Sequence, residues 1–589
     1  MAAPAVQRAH ALYTAQRFEE AEAVLRQHLR RAPADLDGLG LLAMTLTVLN
    51  RLDEAEHFYQ RLLSARPTDN MRRNLANLYT MQRNTAKALE QFERSVEMNA
   101  ASLEGWKGVA VCALAERRFE RALEAARKAR ALATPDAEVE TLIASALLNS
   151  FHVDECVATL RSAIARLPGE PLMIQLYLMV LHYDPTATPA TIAEAHRTLG
   201  PRAVARAGAA DPWQPPPVTP TDADKRLRVG ILSSDLNRHV VTGFLAPLLA
   251  HIDRARVEFI LFNTGRRDEA TDHLATLAPD GFQVEAADAD TLVRALRDTR
   301  LDMLIETNGW TSGHRMGVVA RRAARVQATY LGYPDTTGVP AVDYRLVDAL
   351  TDPAPEADAR ATERLVRLDG CFVCFRPLFT TARLQAPPAD HPPTFGSFAN
   401  AWKINEPLLD LWARVLLRAP GTRLLLKNRA VDTPGVLARW RERFARAGVA
   451  PDRIGILEWA AGAQDHLESY NQIDVALDTF PYHGTTTTCD ALFMGVPVVS
   501  LIGATHHARV GLSLLTHGGF PEWIAHSPDD YVRIAADLIG RATDLRASRQ
   551  SIRDRFMASR VTDAPAFCAA FERALRETWR EACRAPGGA

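Results

Sequence analysis

The chain has 589 residues, too many for one hydrophobic core, so two to four domains are expected. Its 69 Lys and Arg balance 70 Asp and Glu to a net charge of −1, which argues against a protein that holds nucleic acid or acidic membrane through bulk charge. Hydrophobic content of 47% with 24% charged residues is that of a globular protein. The start, MAAPAVQRAHALYTAQ, has no apolar leader, and no stretch approaches the ~18 apolar residues of a membrane span. A cytoplasmic location with no membrane span and no nucleic-acid partner is expected. The seven cysteines are odd in number and scattered. Cys371 and Cys374 form a C-x-x-C without a second pair at zinc-site spacing, and they sit in a strand-like run, CFVCF, so core packing is expected of them.

The first third repeats. FEEAEAVL (18–25), LDEAEHFY (52–59), TAKALEQF (85–92), FERALEAA (119–126) and VDECVATL (153–160) carry small residues in register at Ala21, Ala55, Ala88, Ala122 and Cys156. Ala21 to Ala55 and Pro33 to Pro67 are each 34 positions apart. Each unit reads as two amphipathic helices with small residues where they meet. The series resembles the tetratricopeptide repeat, whose stacked units make a helical solenoid with a concave surface for peptides or partner proteins. The alternative is a structural spacer or dimerisation arm, and homo-oligomerisation is left open. Residues 172–200 continue helical as a cap, and DPWQPPPVTPTDADK (211–225) reads as a stiff linker.

From Leu227 strand and helix alternate. LRVGILSSD (227–235), VEFILFN (257–263), LDMLIETNG (301–309), VQATYLGYP (326–334) and YRLVD (344–348) are strand candidates, with a helix over about 243–252. A second set comes after a loop-rich stretch: TFGSFAN (394–400), RLLLKN (423–428), RIGILEW (453–459) and IDVALD (473–478). This predicts an α + α/β protein: a helical solenoid, then two Rossmann-like domains in the manner of GT-B proteins. The expected bounds are 1–210 for the solenoid with cap and linker, 222–388 and 389–560 for the two α/β domains, and 561–589 for a C-terminal helix. Ligands of such sheets sit beyond the strands' C-terminal ends, which singles out Ser233, Ser234, Asp235, His239, Asn308, Gly309, Tyr333 and Pro334.

One stretch carries the most chemistry, DTFPYHGTTTTCDALFMGVPVVSL (478–501). A strand ends at Asp478, a Pro/Gly turn comes next, and Thr485 to Thr488 lead into a short helix over Cys489 to Met494. A strand, glycine turn and helix start aim unpaired backbone N–H groups at an anion, and the hydroxyls add donors. A phosphate or diphosphate site is expected there, against the alternative of a Thr-rich helix cap.

SSDLNRH (233–239), ETNGWTSGHR (306–315), YLGYPDTTGVPAVDY (330–344), FANAWKINEP (398–407), the 478–501 stretch and HARVGLSLL (507–515) succeed one another in an order that resembles the O-GlcNAc transferase family of bacterial type. The resemblance implies an inverting glycosyltransferase that moves GlcNAc or a related hexose from a UDP-sugar to Ser/Thr hydroxyls of proteins, without a metal or other cofactor. It assigns Lys403 and Asn400 to the diphosphate, Thr486 and Thr487 to the phosphates, Asp490 to the ribose and His466 to the uracil, and it implies a positioning or base role for His239. Tyr333, Pro334 and Asp335 are read as an acceptor or donor loop.

Three positions depart from the family pattern. Thr485 stands where many members have a histidine, with His483 two residues earlier. Asp335 stands in place of the glycine of LGYPG, and Asp302 stands where some members have a second histidine. Arg509 is read evenly as a diphosphate contact or a core ion pair. Two further readings stay open at this point: a UDP-glucose-dependent Asn glycosyltransferase, and a repeat scaffold whose transferase half has decayed.

Overall fold

The computed structural model describes residues 3–133, 135–207, 213–279, 281–284, 288–377, 381–427, 434–458 and 462–584. Asn428 and Trp459 at the ends of two expected strands, residues 208–212 around the start of the expected linker, and residues 585–589 lie outside them. The chain divides into two compact units, Met1–Leu167 and Pro168–Ala589.

In the first unit the sequence period becomes five helix–turn–helix pairs: Pro4–Thr14 with Phe18–Arg31, Leu36–Val48 with Leu52–Ala65, Asp69–Met81 with Thr85–Met98, Leu103–Ala115 with Phe119–Leu132, and Ala137–Asn149 with Val153–Arg166. Ala21, Ala55, Ala88, Ala122 and Cys156 all have zero exposure, because only a small side chain fits where the helices close on each other. The turn inside each pair places one non-glycine residue in the left-handed region: Gln16, Asn50, Arg83, Arg117 and Phe151. Asp35, Thr68, Ser102 and Asp136 cap the first helices of later pairs, each accepting a bond from a backbone N–H in the first turn. Val6, His10, Tyr13, Gly40, Met44 and Met71 line a groove across the first three of these pairs.

The second unit holds two parallel sheets among its described residues. The first contains β1 (Leu227–Ser233), β2 (Val257–Asn263), β3 (Phe282–Val284), β4 (Met303–Glu306), β5 (Val326–Tyr330), β6 (Tyr344–Asp348) and β7 (Arg364–Leu368), in the order β3-β2-β1-β4-β5-β6-β7. The second contains β8 (Thr394–Ser397), β9 (Arg423–Leu426), β10 (Ile454–Ile456), β11 (Val475–Leu477), β12 (Val498–Leu501) and β13 (Ile524–Ala525), in the order β10-β9-β8-β11-β12-β13. Each sheet therefore reverses direction beside its first strand, between β1 and β4 and between β8 and β11. A crevice opens at that point in such sheets. No helix among the described residues is long and apolar enough to cross a membrane.

The helices Pro171–Val180 and Pro189–Val204, which the sequence groups with the solenoid, pack with the second unit. The reason is a long-range contact. Gly338, at φ +71°, lies so close to the second of these helices that a Cβ there would come within 2.0 Å of the His196 carbonyl oxygen. The described part of the expected linker is likewise packed down rather than a free spacer. Trp579 Nε1 donates to Asp222 O at 2.9 Å, and Arg576 donates to the Lys225 carbonyl at 2.7 Å. Both belong to the C-terminal helix Ala564–Arg584, whose Phe567, Phe571 and Trp579 complete the core of the first sheet. CFVCF is no strand. Asp348 Oδ2 accepts from Phe372 N and Val561 O accepts from Phe375 N, so side-chain and loop partners replace a ladder. Both of its cysteines are buried and free, and burial pushes the Cys374 thiol up to about 12.

Candidate functional site

The C-terminal end of β8 runs through Phe398 and Ala399 into a one-turn 3-10 helix, Ala401–Lys403. Asn400 caps that turn, its side-chain oxygen accepting from Trp402 N at 3.1 Å. Across the crevice, Asp478 directly follows β11, and this buried carboxylate shapes the turn after the strand. Its Oδ1 accepts from Thr479 N (2.9 Å) and Gly484 N (2.7 Å), and its Oδ2 accepts from Ser500 Oγ (2.6 Å). Fully used in this way, Asp478 fixes the turn that delivers Thr485 to Thr487. Gly484 is needed there because a Cβ would stand 2.0 Å from Thr487 Oγ1.

The helix starts at Thr486, three residues earlier than the apolar pattern suggests, and ends at Phe493, so Thr486 and Thr487 are first-turn residues and Thr485 is the N-cap. All three are part-exposed, whereas the Thr488 hydroxyl is buried and donates back to Gly484 O at 2.9 Å. Gly396, Ser397, Phe398, Tyr470, Thr487 and Thr488 are among the residues that line the cleft between β8 and β11. The buried Ser397 hydroxyl there has no protein partner, which leaves it to a ligand or solvent.

Two lysines give the cleft its sign. Lys403 Nζ donates to His483 O at 2.6 Å and lies 4.0 Å from the centre of the Tyr482 ring. Burial lowers its pKa to about 8 while Asp478 pulls the other way. Lys427, directly after β9, was not singled out from sequence, where it is only the polar end of RLLLKN. It is buried, donates to Ser469 Oγ at 2.8 Å, and sits 3.1 Å from His466 Nδ1. Burial lowers its pKa also to about 8, against the pull of Asp465 and Asp490. An ammonium can only donate, so His466 Nδ1 accepts and the opposite nitrogen carries the proton toward Asp490 Oδ2, 3.5 Å away. Burial raises the Asp490 carboxyl above its usual range, with His466 and Lys427 opposing. Lys427, His466 and Asp490 thus form one chain beside the threonine turn.

His483 does not take the place of a cleft-facing histidine. It is fully buried, its Nδ1 accepts from Gly511 N at 2.9 Å, and its Nε2–H therefore donates to Leu501 O at 2.8 Å. Arg509 is a strut: it donates to Leu350 O (2.7 Å) and Gly503 O (3.2 Å), joining the two sheets. A second strut runs beside it. His506 Nδ1 meets Asp352 Oδ2 at 2.5 Å, and Arg345 reaches the other carboxylate oxygen at 3.2 Å. Burial raises the Asp352 pKa, but Arg345 and His506 outweigh it and hold the carboxyl well below the usual range.

At the first sheet's switch point the groups are of the other sign. Asn308 ties β4 to β1: its amide donates to Asp235 Oδ2 (2.7 Å) and Ser234 Oγ (2.9 Å), and its oxygen accepts from Ser234 N (2.9 Å). Glu306 is buried beneath, accepting from Asn308 N, Gly309 N and the Thr329 hydroxyl, and burial raises its pKa. His239 caps the helix Val240–His251 and is exposed, with its Nδ1 3.7 Å from Asp235 Oδ2. Tyr333 and Pro334 are buried after β5 and Asp335 is half-buried; Tyr333 OH bonds His196 and His182. Asp302 lies at the opposite end of the sheet from this network. It accepts from Arg228 N and pairs with Lys225 at 2.6 Å, which is a structural post.

The structure therefore gathers Asn400, Lys403, His466, Thr485, Thr486, Thr487 and Asp490 around the second sheet's switch point. His239 and Tyr333 to Asp335 belong to the first sheet.

Comparison with known proteins agrees with this fold. The profile of glycosyl transferase family 41 matches residues 186–375 and 374–571, and tetratricopeptide-repeat profiles match 6–70 and 73–137. The chain is 34% identical over 370 residues to the probable UDP-N-acetylglucosamine–peptide N-acetylglucosaminyltransferase SPINDLY of Arabidopsis thaliana, covering 62% of this chain and 40% of that one. It is 33% identical to the rice protein of the same name over 69% of this chain and 44% of that one, so it spans about two fifths of the length of these relatives. A mutant of the Thermobaculum terrenum O-GlcNAc transferase superposes with a TM-score of 0.76 at 30% identity, covering 88% of this chain and 98% of that one. With the two Rossmann-like sheets matched almost throughout, the chain belongs to glycosyl transferase family 41.

Proposed function

We propose that the chain is an inverting, metal-independent protein glycosyltransferase that moves GlcNAc or a related hexose from a UDP-sugar to Ser/Thr hydroxyls of proteins bound by the repeats. The observation that carries this reading is the cationic switch point of the second sheet. A part-buried lysine there faces a helix start whose N-cap position and first turn are threonines, beside a histidine–carboxylate pair.

The diphosphate takes its charge partner from Lys403, with donors from Thr485, Thr486, Thr487 and the first-turn N–H groups. Asp490 holds the ribose, His466 the base, and Asn400 the outer phosphate side. In transfer, the acceptor hydroxyl oxygen bonds to the anomeric carbon as the bond from that carbon to the diphosphate oxygen breaks, and the departing charge stays on Lys403 and the helix start. The acceptor proton passes to a base, for which a donor phosphate oxygen and His239 are the candidates. His239 first positions the acceptor, and Tyr333, Pro334 and Asp335 shape the ground beside it.

The test is Lys403→Ala. It abolishes transfer, at least about 10²–10³-fold in kcat, while circular dichroism shows the same fold. Transfer at the parent rate in a folded variant would remove Lys403 from this role.

A further inference from the structure

We propose that His182, Asp335 and His507 form a binding site for one divalent transition-metal cation of the zinc type, separated from Lys403 by the ring of Tyr482. These residues come from three separate segments: the turn after the helix Pro171–Val180, the loop after β5 and the loop after β12. One donor atom from each lies within 4.8 Å of the other two. Two imidazoles and one carboxylate are a common protein set for zinc, with a further position open to water.

The hydrogen-bond network prepares the ligand atoms. His196 Nδ1 lies 2.8 Å from Ile192 O, and a carbonyl only accepts, so Nδ1 carries the proton. His196 Nε2 is then a lone pair that takes the Tyr333 hydroxyl proton at 2.6 Å. Tyr333 oxygen in turn accepts from His182 Nε2–H at 3.1 Å. That fixes His182 Nδ1 as a lone pair, and it is buried with no hydrogen-bond partner. At His507 the partner is a hydroxyl, which both donates and accepts, and the tautomer whose Nε2–H donates to it leaves Nδ1 as a lone pair. His507 Nε2 bonds the Thr505 hydroxyl at 3.0 Å, and its buried Nδ1 also has no partner.

Metal-bound histidines are oriented in this way by a partner on the far ring nitrogen. Both rings are essentially without exposure and lie 4.8 Å apart, and burial keeps both neutral, the ligand form. Asp335 spends Oδ1 on Thr336 N at 2.8 Å, which leaves Oδ2 available. Arg345, whose charge reaches His182, is paired with Asp352. Two partnerless imidazole nitrogens buried side by side are costly, and a cation satisfies both at once. The ligand triangle needs edges of about 3.4 Å for ~2.1 Å tetrahedral bonds, so binding draws the three segments slightly together. The site stands whether or not the donor is a UDP-sugar.

The experiment uses the tag-free full chain, stripped with EDTA and dialysed. Zinc chloride is titrated by calorimetry, and Co²⁺ loading is followed by visible absorption. One equivalent per chain is expected, with a raised melting temperature and the intense bands of a four- or five-coordinate cobalt site. Asp335→Asn and His182→Asn, whose melting in EDTA is compared with the parent, each lose at least about tenfold in affinity. A parent chain without saturable zinc binding, or stoichiometry and affinity unchanged in both variants, overturns the proposal.

Discussion

The two sheets of the second unit share one strand order over their first six strands but carry opposite chemistry at their switch points. In the second sheet, Lys403 and Lys427 stand with free threonine hydroxyls and a helix start. In the first, Asp235, Glu306 and Asn308 stand with an exposed histidine, His239. Topology supplies a crevice in both, and side chains decide what each crevice receives. A cationic mouth suits a diphosphate. A mouth of carboxylates and an imidazole suits a neutral hydroxyl that must be oriented and relieved of a proton.

Each variant that disturbs one switch point and spares the other tests this division. Lys403→Ala has the largest expected effect, because it removes the charge opposite the leaving diphosphate; transfer is lost and UDP no longer raises the melting temperature. His239→Ala comes next. Transfer falls by roughly 10²-fold, the lower end of general acid–base contributions, while UDP affinity measured by calorimetry is unchanged. Loss of UDP affinity in that variant would break the division.

The pH dependence is smaller and has a definite sign. Lys403 and Lys427 are both lowered by burial to about 8, so they are charged at pH 7 and largely neutral at pH 9. UDP affinity therefore falls as pH rises through 8, by up to about tenfold for each lysine that contacts the phosphates. Calorimetry at pH 7 and 9 reads this directly. A flat profile would mean that neither ammonium meets the anion. Thr485→His has the smallest expected effect, under about fivefold in UDP affinity, because an exposed charge contributes roughly 0–1 kcal/mol.

Local patterns were the legible part of the sequence. Ala21, Ala55, Ala88, Ala122 and Cys156 recur because each repeat solves the same packing problem alone. The threonine turn is legible because strand, glycine and helix start are contiguous. Lys403, His466 and Asp490 were reached through family resemblance, and the fold then brought them to one place. The hidden part depends on distant contacts. Lys427 acquires meaning only from His466 and Ser469, about forty positions later. The break at Leu167 arises from helices that settle against the loop at Gly338. His483 lies two residues before the position where many relatives have a histidine, yet Gly511 N and Leu501 O hold it inside. CFVCF has strand composition, but among the described residues no strand pairs with it, and Asp348 and Val561 take its N–H groups instead.

The central claim is that the second sheet's switch point binds the nucleoside diphosphate of a sugar donor. Isothermal titration of UDP, UDP-GlcNAc, UDP-glucose and a GDP-sugar into the EDTA-treated full chain tests it most directly. The account predicts one site per chain for UDP and UDP-sugars, lost in Lys403→Ala, with the GDP-sugar bound more weakly. Absence of UDP binding, or preference for the GDP-sugar, would contradict it.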